Sequence, residues 1–583
     1  MNALKSIKIK NVKGKNEFDL TFENLHPNMI NILVAPNGFG KSTIVQTFNS
    51  LKPKSLALKN DDLYQGNPAN KPELEVKFIG DNANTYIANN VKNDLSSEYD
   101  IKVINSLVVA KSSYSTARAN LKIEPIIIYK KIPDKVDVGY NASDIMNSIS
   151  CEKRILKNIS SFFNSIENLN VLLNIKDALL NCSNQVHSIK AINDFLSKIP
   201  TVGTSNAIKD AITADSVKLL ISKKCINIVY TAISDCSFFS TFNKTDIALS
   251  MIQMIKWYKI NYAKDHNFLK NLIAYEKYKI NKENINERLK CFNTTGREIK
   301  ARKEGTKLIV KFVDANKMSN GERDVLVFLT ELFCYSIGMK KNKGILLVDE
   351  VFDYLDGSNL VAAQYFLAKF IEEQRKNGNL IYPLIFTHLD PNVFRNYYFK
   401  KMKTHYLLDN SCDAKGSDIV KVIQKRKSGD DNDFASRYLL HYNPENINIS
   451  DEIRKICGAT FPSTTFGFKD FAYKEVIDKY LSDLPYNPIL VLVGIRIKVE
   501  EIVYNQLPEN KKKEFIEIHK TNSKLNFASQ YTDVSEVFYI LQPVYNDSLH
   551  LNDDQGDDAK IKSCSLKLYN IPIKNIIKII FNF

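Results

Sequence analysis

Apolar and polar positions alternate with a period of two over 4–10, 17–22 and 28–34, which predicts three strands. The third runs into Ala35-Pro36-Asn37-Gly38-Phe39-Gly40, and a helical pattern opens near Lys41, giving a strand, loop, helix unit. Further strands are expected at 73–80, 83–88 and 101–109. From about 145 to 300 Gly and Pro become rare, and Ile155, Ile159, Phe162, Ile166, Leu169, Leu173 and Leu180 recur at helical spacings. This predicts a helical segment with a coiled-coil-like seam. A break at 200–204 separates it from a second helical region at about 245–285, where Met251, Met254, Tyr258, Leu269 and Leu272 repeat the pattern. Two such limbs predict an antiparallel helical insertion, either a short arm or a compact bundle. Strand character returns at 306–313, followed by a helix at 321–337, a strand at 344–348, a helix at 358–375 and a strand at 381–387. Beyond about 430 a mainly helical region follows.

Two motifs carry chemistry. Residues 35–43 match the phosphate-loop pattern GxxxxGK[ST], with Ala35 where the first Gly stands. Asn37, Gly38, Phe39 and Gly40 bring backbone amides toward an anion, and Lys41 adds a point charge. Ser42 offers a hydroxyl to Mg²⁺, and Thr43 lies in the first helical turn. The second motif, Gly344-Ile345-Leu346-Leu347-Val348-Asp349-Glu350, is a buried strand ending in two carboxylates. Asp349 is expected to hold Mg²⁺, and Glu350 to polarise the attacking water. A strand of this kind also occurs without chemistry, so it is the pairing with the phosphate loop that points to ATP.

Met318-Ser319-Asn320-Gly321-Glu322-Arg323 opens a helix ahead of that strand and resembles the LSGGQ signature of ABC-type ATPases. Tyr354-Leu355-Asp356 stands where that family has its D-loop, and Thr387-His388 where it has its switch histidine. The order of motifs, split by a helical insertion, resembles the soluble ABC ATPases of the SMC, Rad50 and OLD type. The resemblance implies an α/β fold in which an ABC-type ATPase domain is split by the insertion and followed by a helical C-terminal domain. Its lobes would be 1–145 and 301–428, with the insertion at 146–300 and a partner-binding domain at 429–583. It implies ATP and Mg²⁺ as ligands, catalytic roles for Glu350 and His388, and nucleotide contacts from Ser319, Asn320, Gly321, Glu322 and Asp356 across a head-to-tail homodimer or larger oligomer. The family's Gln loop has no clear counterpart; Gln46 and Gln65 are poorly placed, and 103–113 is where it is expected. The short arm and added C-terminal region resemble the ATPase subunits of anti-phage systems, such as PtuA of Septu and retrons or AriA of PARIS. This implies a sensor or regulator of a separate nuclease effector. The alternative is an SMC/Rad50-like DNA-binding clamp in DNA repair or maintenance.

Composition adds limits. At 583 residues with 44% hydrophobic and 25% charged, the chain is too long for one domain and too apolar for disorder. No apolar run approaches a membrane span, and the N-terminus has no secretory pattern, so a cytoplasmic protein is expected. Nine cysteines without a CxxC pair suggest reduced thiols. The net charge of +15 suits nucleic acid or an acidic protein, though each lysine cluster also reads as solvated charge. Arg437 and His441 stand four apart and invite a ribonuclease reading, but their spacing favours a packing pair. The acidic stretches 430–433 and 553–558 read as solvated loops. The tail 571–583 is read as docking on the C-terminal domain, with partner binding as the second reading, and the apolar segments 489–497 and 571–581 lead to the expectation that the C-terminal region holds a partner and does no chemistry of its own.

Overall fold

The alternating N-terminal segments do pair as strands. A computed structural model describes residues 3–35, 39–80, 83–105, 110–115, 118–123, 125–149, 151–295, 297–311, 319–389, 399, 402–407, 417–425, 434–457, 462–546, 549 and 557–582. Packing divides the chain into two compact units, 1–109 with 316–583, and 110–315. The stretches 110–145 and 301–315, expected within the two lobes, therefore fold with the helical insertion.

In the first unit, β1 (Ala3–Val12), β2 (Lys15–Leu25), β4 (Glu73–Ile79) and β5 (Thr85–Asn89) form an antiparallel sheet in the order β2-β1-β4-β5. A second sheet is wholly parallel. It contains β3 (Ile30–Val34), β6 (Asp100–Asn105), β12 (Lys343–Asp349), β13 (Leu380–Thr387) and β14 (Met402–Tyr406), ordered β14-β3-β13-β12-β6. Strands β3 and β12 are near-continuous apolar runs because a parallel sheet is covered on both faces. Side chains from both sheets share one core that includes Ile7, Leu33, Ile44, Val76, Leu347 and Phe386.

The second unit begins with β7 (Ala110–Ser115), β8 (Arg118–Ile123) and β9 (Ile126–Tyr129), and ends with β10 (Ala301–Glu304) and β11 (Lys307–Val310). β9 pairs with β11, so the two ends of the insertion are stitched to each other. Between them lies a helical cluster around Trp257, whose indole N–H donates to the Val138 carbonyl at 2.7 Å. The expected seam over 155–180 is not one helix. Residues 153–155 and 160–164 are short 3₁₀ turns, and Ile166–Asn174 and Lys176–Asn184 are separate helices. Polar side chains cause the breaks: Asn158 accepts from the Ser160 N–H at 2.8 Å, and the Ser165 hydroxyl accepts from the Asn168 N–H at 3.3 Å. The apolar spacing marked positions facing a globular core, where Ile155, Ile159, Phe162 and Leu169 are buried. Two long helices, Lys244–Lys264 and Phe268–Leu289, replace the second limb.

The C-terminal part of the first unit is a helical cluster from Ile419 to Phe581 around the helix Pro488–Gln506. The apolar run 489–497 is consumed by this core, since Ile489, Val491, Leu492 and Val493 are buried, and so it is not a partner surface. In the last helix, Ile571–Phe581, Ile577 faces the core while Ile571 and Ile579 are exposed. Arg437 and His441 do not share a helix, because Phe434–Leu439 ends before His441. Arg437 lies over the Tyr438 ring, and His441 is buried against Glu500. Among the described residues, no helix is long and apolar enough to cross a membrane. Residues 428–433 and 551–556 lie outside the described residues.

Glu500 is fully buried on that central helix and accepts four hydrogen bonds. The donors are His441 Nδ1 at 2.7 Å, Thr521 Oγ1 at 2.7 Å, Lys524 Nζ at 2.9 Å and the Tyr442 N–H at 3.0 Å. Burial alone would raise this carboxyl, but the Lys524 ammonium and then His441 and Thr521 outweigh it and hold the acid well below the ordinary range. Burial pushes the His441 imidazole down to about 4. Both shifts have the same consequence: the folded chain binds fewer protons than the unfolded one, so stability falls as pH drops below about 6.5. Glu500→Ala should cost about 3–5 kcal/mol, because it strands the Lys524 charge. Denaturant titrations at pH 7 should show that loss, and titrations of the wild type from pH 7 to pH 4 should show stability falling with pH; the variant keeps that fall, because removing Glu500 takes away a charge that favours protonated His441.

Candidate active site

The site is set by strand order. β13 lies between β3 and β12, with Thr387 opposite Val34 and Phe386 opposite Asp349. The carboxyl ends of three parallel strands therefore form one row, the usual place for ligands in an open α/β sheet. From that row emerge the phosphate loop, His388, and the Asp349-Glu350 pair.

At the loop, Pro36, Asn37 and Gly38 lie outside the described residues. Gly40 has φ +123°, a conformation that L side chains rarely adopt, and a Cβ there would come within 3.1 Å of the Phe18 ring. Phe39 meets the same ring edge-on at 5.6 Å. The helix Lys41–Asn49 starts with no side-chain cap and no acidic residue in its first turn, which leaves its N-terminus suited to an anion. Ser42 is exposed there, whereas Thr43 is buried and its N–H donates to the Gly40 carbonyl at 2.9 Å.

Lys41 turns inward. Its side chain is 8% exposed, and Nζ lies 2.7 Å from Glu350 Oε1. The ammonium's other protons have no acceptor among the described residues. Glu350 is a non-glycine residue at φ +52°, held by its N–H donating to the Phe386 carbonyl at 3.0 Å. Such backbone strain persists where its surroundings fix it, commonly at functional sites. Burial raises the Glu350 carboxyl, but Lys41 outweighs burial and leaves it below the ordinary glutamate value. Asp349 shows the opposite balance. Burial and then the Glu350 charge push it up to about 6.

The Asp349 carboxylate accepts no hydrogen bond from a described residue, so its lone pairs are available to a cation. Together with Ser42 it is the donor set expected of a Mg²⁺ site. Ligand atoms of Glu350, Asp353 and His388 also lie within 4.8 Å of one another. Glu350 there is already matched by Lys41, and Asp353 is occupied by His388 and Thr387.

A second cluster gathers the signature residues. Ser319 caps the helix Asn320–Gly338 in a capping box, accepting from the Glu322 N–H at 3.2 Å while Glu322 Oε2 accepts from the Ser319 N–H at 3.1 Å. Asn320 accepts from Arg323. Gly321 backs onto the next motif: a Cβ at 321 would lie 2.4 Å from Asn359 Nδ2 and 3.4 Å from Asp356 Oδ2. Asp356 in turn caps the helix Gly357–Lys376 by accepting from the Asn359 N–H at 3.0 Å, and that bond holds its carboxyl below the usual range. Met318 lies outside the described residues. Two of the candidate glutamines have other work: Gln46 donates to Asp62 at 2.7 Å, and Gln65 turns a corner at φ +55°. β6 ends at Asn105, and 106–109 lie outside the described residues.

Sequence reasoning missed Asp353, and placed Tyr354 in the D-loop stretch without a role for its hydroxyl. The Tyr354 hydroxyl donates to Glu350 Oε2 at 3.4 Å. Asp353 has no exposed side-chain surface and binds His388 Nδ1 at 2.8 Å. Burial pushes its carboxyl up, against the pull of Thr387 and His388. The available signal was the density of acids after β12, at 349, 350, 353 and 356.

No family model and no curated protein matches the chain. Solved structures similar to it include an SMC head bound to the C-winged helix domain of ScpA, and the recombination mediator protein RecF with ATP in the RecFOR pathway. The SMC head shares 11% identity, covers 67% of this chain and 90% of its own, and has a TM-score of 0.24. RecF shares 13% identity, covers 67% and 93%, and has a TM-score of 0.22. At such TM-scores these likenesses establish nothing about architecture or chemistry.

Gly40→Ala should lower unfolding stability by about 1–3 kcal/mol through the strained φ and the Phe18 contact. Thermal unfolding of the two proteins side by side tests this, with Gly378→Ala as a control at a positive φ where a Cβ meets nothing.

Proposed function

We propose that the chain is an ABC-type ATPase that binds ATP with Mg²⁺ and hydrolyses it. The observation that carries this reading is the convergence of Lys41, Asp349, Glu350 and His388 on one row of parallel strand ends, with Lys41 and Glu350 at 2.7 Å. Lys41 and the uncapped helix behind it would receive the β- and γ-phosphates. Mg²⁺, held by Ser42 and Asp349, would neutralise charge on those phosphates when bound. A γ-phosphate competes with Glu350 for the Lys41 ammonium. Its arrival therefore frees the carboxylate to orient water and take its proton. His388 stands on the neighbouring strand end to contact the same phosphate.

Ser319, Gly321 and Asp356 form a cluster of their own, suited to a nucleotide held by a second copy of the chain. This supports a homodimer or larger oligomer. The finer role we assign is a sensor or regulator of a separate nuclease effector in anti-phage defence. It is supported by a globular insertion in place of a long arm and by the extra C-terminal helical region. Partner contact there falls on exposed positions such as Ile540, Ile571 and Ile579 rather than on the buried run 489–497.

One observation favours the alternative, a DNA-binding clamp. Residues 110–315 carry 32 Lys and Arg against 19 Asp and Glu, whereas the rest of the chain carries 48 against 46. Nearly all of the net +15 thus belongs to the insertion, as a phosphate-backbone contact requires. The two readings separate on salt dependence. A clamp binds duplex DNA with an affinity that falls steeply with salt and depends on ATP, while a regulator hydrolyses ATP without DNA.

Lys41→Ala should abolish ATP binding in equilibrium dialysis, and wild-type affinity in that variant would sink the assignment. Lys41→Ala and Ser319→Arg chains, each inactive alone, should regain roughly a quarter of wild-type hydrolysis when mixed, since half of the dimers then carry one intact site. Mixed dimers without activity would refute the shared site.

A further inference from the structure

Asp353 has no role in the motifs above, yet it holds one of the best-defined polar contacts at the site. It lies on the 3₁₀ turn Phe352–Tyr354, just after Glu350, and its side chain has no exposed surface. One carboxylate oxygen takes both His388 Nδ1 at 2.8 Å and the His388 backbone N–H at 3.0 Å. The other takes the Thr387 hydroxyl, whose oxygen also accepts from the Leu389 N–H at 2.9 Å. Every partner of the acid is thus a donor at the end of β13, and two of the three belong to His388.

We propose that Asp353 is the positioning residue for His388, fixing the ring proton on Nδ1 and turning Nε2 outward toward the γ-phosphate position. The proposal rests on the ATPase reading. Two bonds from one residue to a single oxygen leave the ring little freedom about χ1 and χ2, and a carboxylate at Nδ1 selects the tautomer whose proton lies there. Nε2 is then the ring atom free to act, on a side chain that is 37% exposed. Glu350 stands just before that turn, and its carbonyl accepts from the Asp353 N–H at 3.3 Å, so the acid couples the position of the histidine to that of the residue that handles water. A bare structural staple between the β12 turn and β13 would make the same three contacts, and what separates the two roles is whether a change of tautomer lowers kcat.

Asp353→Asn keeps size and shape but has one acceptor oxygen where the acid has two. With that oxygen held by the Thr387 hydroxyl, the amide N–H groups face the position that takes both His388 Nδ1 and the His388 N–H, which costs the backbone bond and favours the opposite tautomer. Ring ¹⁵N shifts of nucleotide-free protein, with His388 assigned by its loss in His388→Gln, should show Nδ1–H in wild type and Nε2–H or a mixture in Asp353→Asn. In steady-state hydrolysis, Asp353→Asn should lose about 10²-fold or more in kcat with the KM for ATP nearly unchanged. In a His388→Gln background the same substitution should cost nothing further, because the two residues act as one unit. A wild-type tautomer and wild-type kcat in Asp353→Asn, or losses in kcat that multiply in the double variant, would overturn the positioning role. A wild-type protein that shows the Nδ1–H ring but neither binds nor hydrolyses ATP would instead overturn the ATPase reading on which the role depends.

Discussion

The interleaving of β13 between β3 and β12 is the constraint on which the site depends. Parallel pairing in register sets Val34 opposite Thr387 and Asp349 opposite Phe386, so His388 and Glu350 follow directly on two neighbouring strand ends and Lys41 follows the loop from the third. With β12 directly beside β3, Lys41 and Glu350 could still meet, but nothing would bring His388 and the Asp353 turn between them. The price is backbone strain at Glu350, whose positive φ is held by its N–H bond to the Phe386 carbonyl and by its carbonyl accepting from the Asp353 N–H. A buried ammonium facing a half-buried glutamate gives the site its electrostatic character. The cation is in place before any phosphate arrives, and its present partner is the group it would have to release.

Much of this was legible in the residues themselves. The phosphate loop and the strand ending in Asp349-Glu350 are local patterns, in which period-two or continuous apolar runs stop at small or charged residues, and their elements appear within a few positions of the expected bounds. The helix from Asn320 was announced by Ser319 and by Glu322 three residues on, a capping box that needs no tertiary information. Asp353 was not legible, because an acid on a turn takes its meaning from partners on another strand. The seam at 155–180 misled for a related reason. Periodicity reports which side chains face a core, but it does not say whether one helix or several short ones present them. Asn158 and Ser165, with side chains that bond to nearby backbone, decided the matter.

The C-terminal core combines two ways of filling an interior. The helix Pro488–Gln506 is apolar on every side over its first turns, as expected of a helix surrounded by others. Further along it buries Glu500 with Lys524, His441 and Thr521, an arrangement that adds little over an apolar core yet is costly to break. Its geometry specifies which helices pack together and in what register, because only one arrangement satisfies all four donors.

The stitching of β9 to β11 at the root of the insertion bears on how the chain folds. β6 and β12 are neighbours in the parallel sheet but are separated in sequence by the whole of residues 110–315. Were that segment a flexible loop, closing it would add an entropic cost, and parallel strands so far apart would find each other slowly. The pairing of β9 with β11 replaces that one long separation by two shorter spans, 20 residues from the end of β6 to β9 and 32 from the end of β11 to β12. During synthesis the insertion emerges complete before β12 exists, so the chain can make that pairing before the parallel sheet has its second partner.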